Sequence, residues 1–166
     1  GNYDFLSNHV WIKKYKNIKL ICFTDQNKVH KSWNKIGLPK NITHLSNFLK
    51  HKYVKLFCDK ILNKKGLYVW VDANIYVKET ILELIESFEK SDSDLLFVKH
   101  PSRTNPEEEY KFLIAQKFKN ENTVKNILKL QFEHYEKNIA NYKKFNLIEA
   151  NFFIKKNNNK KINQLF

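Results

Sequence analysis

The 166 residues are 42% hydrophobic and 14% aromatic, which is enough to bury one sizeable core and too much for a disordered segment. No apolar run approaches the roughly 20 residues that cross a bilayer, and the N-terminus lacks the basic-then-apolar pattern of a signal peptide. The formal charge of +13 invites a nucleic-acid partner, but lysines occupy almost every segment, as expected of a solvated surface, so no specific nucleic-acid site is expected.

A single domain over residues 1–166 is expected. Cys22 and Cys58 are far apart and outside any Cys-x-x-Cys spacing, which fits neither a zinc site nor a disulfide framework and suits a reducing, cytoplasmic compartment. Of the 30 basic side chains only Arg103 is arginine. The chain begins at Gly1, contains no Met and stops at "KKINQLF", so it is expected to be a piece of a longer product.

In chain order, "IKLICFTD" (18–25) is a β-rich apolar run ending in Thr24 and Asp25. "SNFLKHKYVKLFCDKIL" follows, with Leu49, Tyr53, Leu56, Phe57 and Ile61 at helical spacing. "LYVWVD" (67–72) is the next strand and runs directly into a helix over "KETILELIESFEK". "SDLLFVKH" (93–100) is a third strand, bounded by Pro101. In "TNPEEEYKFLIAQKF", Asn105 caps a helix, Pro106 takes its first position, and Glu107, Glu108 and Glu109 suit the positive end of its dipole. A further helix carries Val124, Ile127, Leu128, Gln131, Phe132 and Tyr135 as one core-facing stripe, and "FNLIEANFFIKK" reads as a final strand or hairpin. The alternation of strands and helices implies an α/β fold with a mainly parallel sheet covered on both faces.

In open α/β sheets, ligands bind outside the carboxyl ends of the strands, where Asp25, Asp72 and His100 all fall. The Asp72 carboxylate and Asn74 amide, two residues apart, can share a hard divalent cation, Mn²⁺ or Mg²⁺, that in turn holds a diphosphate. The competing reading is that Asp72 caps the following helix or turn.

Taken together and in order, "FTD", "KYVKLF", "YVWVDANI" and "VKHPSRTNPEEEY" resemble the glycosyltransferase-like domain family associated with plant mucilage polysaccharide synthesis, formerly a domain of unknown function. The resemblance implies a GT-A-like, Rossmann-like nucleotide-sugar sandwich, incomplete at both ends here, and transfer of a sugar from a nucleotide donor, UDP-linked, to a glycan acceptor. It implies a metal on Asp72 and Asn74. The family's Arg and Lys three residues apart fall on Lys52 and Lys55, and its His-Pro-x-Arg and following acid on His100, Arg103 and Glu108 or Glu109. "GNYD" looks like the family's Gly-x-Tyr-Asp, which adds Tyr3 and Asp4 to the donor contacts, with Thr24 and Asp25 of "FTD". Lys52 in place of Arg keeps the charge but lacks the bidentate fork.

An inverting mechanism needs a carboxylate base near the acceptor, for which Glu108, Glu109 and Glu149 are candidates, although the first two also serve the helix dipole. His100 is a metal ligand, a diphosphate donor or a structural residue. Peripheral membrane association is compatible with the sequence. The alternatives are a noncatalytic relative that keeps the fold, and a basic nucleic-acid-binding module using the Lys and aromatic residues of "WIKKYKNIK" and "ANYKKFN".

Overall fold

The computed structural model describes residues 9–26 and 31–157. Two compact units partition the chain, one of residues 1–96 and 151–166, the other of residues 97–150. The fold is mixed α/β, with small sheets. Among the described residues, no helix is long and apolar enough to cross a membrane.

In the first unit, β1 (Ile21–Phe23) pairs in parallel with β2 (Asn34–Ile36), a three-residue strand that the sequence pattern does not announce. Helix α1 (Asn47–Leu62) starts where the Ser46 hydroxyl accepts the Leu49 N–H, and ends at Asn63, whose left-handed backbone lets its N–H reach the Asp59 carbonyl. Gly66, at φ +136, then turns the chain into β3 (Leu67–Val71); a side chain there would be strained.

The second sheet has the order β3–β5–β4, with β4 at Leu95–Lys99 and β5 at Ile148–Lys156. β3 and β5 are antiparallel, with Leu67 opposite Lys156 and Val71 opposite Phe152. The expected mainly parallel sheet is therefore not what forms around β3: the last strand returns from far along the chain to lie beside it.

Alternation along this pair sorts the side chains onto two faces. On one, Leu67, Val71, Phe152 and Ile154 pack with Leu96 and with Ile81, Ile85 and Phe88 of α2 (Ile81–Lys90). On the other, Trp70 stacks on Phe153 with ring centroids 6.3 Å apart, and Lys155 reaches Asp59 of α1. A helix thus covers each face.

The apolar stripe expected to bury α1 is only partly covered, with Tyr53, Phe57 and Ile61 half-buried. Leu49 is 48% and Leu56 40% exposed, while the buried residues are Val54, Lys55, Cys58 and Asp59. The burial is possible because both charged residues meet opposite charges from the sheet: Lys55 meets Asp72 and Asp59 meets Lys155.

The second unit contains α3 (Pro106–Phe112), a π-helical turn at Leu113–Lys117 and α4 (Asn122–Asn138). Asn105 caps α3 as expected, its side-chain oxygen accepting the Glu108 N–H at 2.9 Å. On α4 the expected stripe is only partly covered. Phe132 stacks on Tyr110 and both Phe132 and Tyr135 meet Tyr142, but Ile127 and Gln131 are exposed.

Candidate functional site

Asp72 follows the last residue of β3, and its N–H donates to the Asn151 carbonyl at 2.8 Å, which fixes its backbone against β5. It does not cap α2, which begins only at Ile81. Residues 72–80 separate strand from helix, opening with a turn closed by the Ile75 N–H on the Asp72 carbonyl. The expectation of a strand running directly into a helix fails here because Ile75 and Val77 supply apolar residues that extend the pattern without being helical.

Farther along, this connection is held by the segment after His9. The Trp11 indole donates to the Val77 carbonyl at 3.0 Å, and the Tyr15 hydroxyl donates to Glu79, which also pairs with Lys14. Asn74 lies exposed in the turn.

The Lys55 ammonium, the Trp70 indole and the His51 ring converge on the Asp72 carboxylate. Lys55 Nζ lies 2.9 Å from Oδ1 and 3.2 Å from Oδ2, Trp70 Nε1 donates to Oδ1 at 2.7 Å, and His51 Nε2 stands 3.6 Å from Oδ1. Lys55 is 4% exposed, whereas the Asp72 side chain keeps 23% of its surface open to solvent. The carboxylate is therefore anchored from below by a buried ammonium and approachable from outside. Burial lowers the His51 pKa from 6.5; Asp72 opposes that shift and Lys55 and Lys52 reinforce it.

Sequence reasoning identified Lys55 and Asp72 but missed His51 and Trp70. Both were accessible from spacing alone. His51 stands four residues before Lys55, on the same helical face, and Trp70 two residues before Asp72, on the same side of the strand. Lys52 is not brought to the carboxylate; its ammonium lies over the Phe48 ring.

Thr24 and Asp25 follow β1 at its carboxyl end, as expected. The Thr24 N–H donates to the Ile36 carbonyl and its hydroxyl accepts the Gln26 N–H, while Asp25 is exposed. Tyr3 and Asp4 lie outside the described residues.

The second unit brings together His100, Arg103, Glu108 and Glu109. His100 Nδ1 accepts the Arg103 N–H at 3.0 Å and the Ser102 N–H at 3.2 Å. The Arg103 guanidinium pairs with Glu109, lies beside His100 Nε2 and stacks over Phe112, 4.1 Å from the ring centre. Glu108 accepts from the Thr104 N–H and hydroxyl, and these bonds hold its carboxyl pKa below the ordinary value. Glu149 is half-buried on β5.

Compared with known proteins, the chain matches no protein-family model, no curated protein and no solved structure.

Proposed function

We propose that this chain is a glycosyltransferase domain that binds a nucleotide-sugar donor, UDP-linked, at the end of β3 and transfers the sugar to a glycan acceptor. The observation that carries the reading is the Asp72 carboxylate, held by buried Lys55 at a strand terminus yet open to solvent, with Asn74 two residues on. In this reading β3 belongs to a GT-A-like nucleotide-sugar sandwich.

The donor set suits a Mn²⁺ or Mg²⁺ ion that takes few protein ligands. One carboxylate and one amide oxygen are hard ligands, and water and diphosphate oxygens complete such a shell. Asp72 and Asn74 would hold the ion, which supplies charge stabilisation to a departing diphosphate. Lys55 fixes the Asp72 carboxylate from its buried side through both oxygens. Asp25 and Thr24, at the end of β1, are the candidates for the nucleoside.

The second reading is a domain that binds donor without transferring sugar. The engagement of Glu108 by Thr104 and of Glu109 by Arg103 favours it, because a carboxylate already committed to hydrogen bonds is a weak base.

Calorimetry of UDP-linked sugars with and without Mn²⁺ tests the binding, and a radiolabelled-donor assay tests transfer or hydrolysis. Mn²⁺-dependent binding with turnover supports the first reading; binding without turnover supports the second. Absence of binding, or binding indifferent to Mn²⁺, overturns the metal site.

A further inference from the structure

We propose that the outer face of α1 docks the protein on an anionic lipid surface. An apolar surface left in water needs a covering layer, and α1 sets apolar side chains on its solvent side as well as against the sheet. Its inner face is covered by the sheet, but Phe48 at 68% exposure, Leu49 at 48% and Leu56 at 40% project away from it. These three fall within one side of the helix, together with Lys52, while exposed Lys60 lies just past the non-helical backbone of Phe57.

The charge around them specifies the occupant. Between Gln26 and Val71 the chain has ten lysines and one acid, Asp59, which is fully buried and paired with Lys155. No acidic residue therefore lies on the surface of this stretch. Lys52 and Lys60 lay their stems along aromatic rings, their ammoniums 5.4 Å from the Phe48 centroid and 4.9 Å from that of Phe57. An apolar centre flanked by ammoniums on long stems matches the boundary of a bilayer, with alkyl groups below and anionic headgroups above.

A nucleic-acid backbone would satisfy the lysines but leave Phe48, Leu49 and Leu56 in water. A second copy of the chain would bury the apolar residues but bring like charges together. Anionic lipid satisfies both features.

The test is flotation of the purified chain with vesicles of phosphatidylcholine alone or mixed with phosphatidylglycerol. Binding is expected on the mixed vesicles, weakened by salt and absent from the neutral ones. Phe48→Ser/Leu49→Ser/Leu56→Ser should lower partitioning about tenfold or more, Lys52→Glu/Lys60→Glu should do likewise, and Lys125→Glu/Lys129→Glu on α4 should leave it near the parental value. Circular dichroism checks that the variants fold, and Phe48→Trp gives an independent readout, a blue-shifted emission on anionic vesicles.

Failure of the parent to float, equal binding by the triple-serine variant, or equal loss in the α4 variant would overturn the proposal. So would a dimer in sedimentation that the triple-serine variant abolishes, which would make the face a contact between copies.

Discussion

Lys155 and Asp59 form an ion pair of 2.8 Å in which the lysine side chain is 4% exposed and the aspartate side chain 0%. It joins the central strand β5 to α1 on the sheet face opposite α2. Asp59 Oδ1 has no hydrogen-bond partner among the described residues, so the pair carries a desolvation cost that its attraction must offset.

Removing one partner strands the other charge in the interior. Asp59→Leu and Lys155→Met should each lower unfolding free energy by about 3–5 kcal/mol, whereas the double replacement, which buries no charge, should recover most of that loss. Urea denaturation of the three variants measures it. Additive losses would mean that the two side chains are not coupled.

Asp72→Ala should abolish Mn²⁺-dependent donor binding, because it removes the only full negative charge in "YVWVDAN". Asn74→Ala should weaken binding less. The alanine at 72 also leaves Lys55 unpaired in the interior, so a loss of stability of about 3–5 kcal/mol is expected with it. Asp72→Ala/Lys55→Met separates the effects: it should melt near the parent and still fail to bind. Calorimetry showing donor and Mn²⁺ bound by this double variant as by the parent would place the site elsewhere.

The elements with purely local causes were legible in the sequence. Asn105 and Pro106 announce the start of α3, and the β-rich runs announce β3 and β4. The outer face of α1 was not, because periodicity measures apolar spacing and cannot reveal that Lys55 and Asp59 find buried partners more than a dozen residues away. The place of β5 beside β3 was hidden for a similar reason: a strand separated from its partner by three helices and the strand β4 carries no local mark of it. At the site, Asp72 and Lys55 were found, but His51 was overlooked although its spacing from Lys55 was in plain view.

Arg103 makes a contact that lysine cannot reproduce. Its guanidinium pairs with Glu109 and at the same time lies over the Phe112 ring. Arg103→Lys keeps the charge but loses the planar group, and should cost about 1.5 kcal/mol, beyond the roughly 0.5 kcal/mol of an ordinary surface change. Lys137→Arg, at an exposed position of α4, is the comparison. If melting temperature falls while donor affinity is unchanged, Arg103 holds its loop to α3; if donor affinity falls without a change in melting, it contacts donor. A variant equal to the parent in both would leave the lone arginine with no role.

His9 supplies a pH dependence. The ring is 3% exposed, packed among Trp11, Trp33 and Tyr76, and its Nδ1 has no hydrogen-bond partner among the described residues. Burial lowers its pKa from 6.5, against a smaller raising effect of the Val77 carbonyl. The unfolded chain therefore binds a proton at a higher pH than the folded one. The stability from neutral His9 is fully present above about pH 6.5 and is lost as pH falls through the lower folded value. Chemical denaturation between pH 7.5 and about pH 5 should show this decline, and His9→Phe, which cannot take a proton, should flatten it. His51 is shifted in the same direction, also mainly by burial, so a residual slope in the His9 variant should disappear on adding His51→Gln. An undiminished slope in the double variant would assign the pH dependence to other groups and leave His9 with a packing role alone.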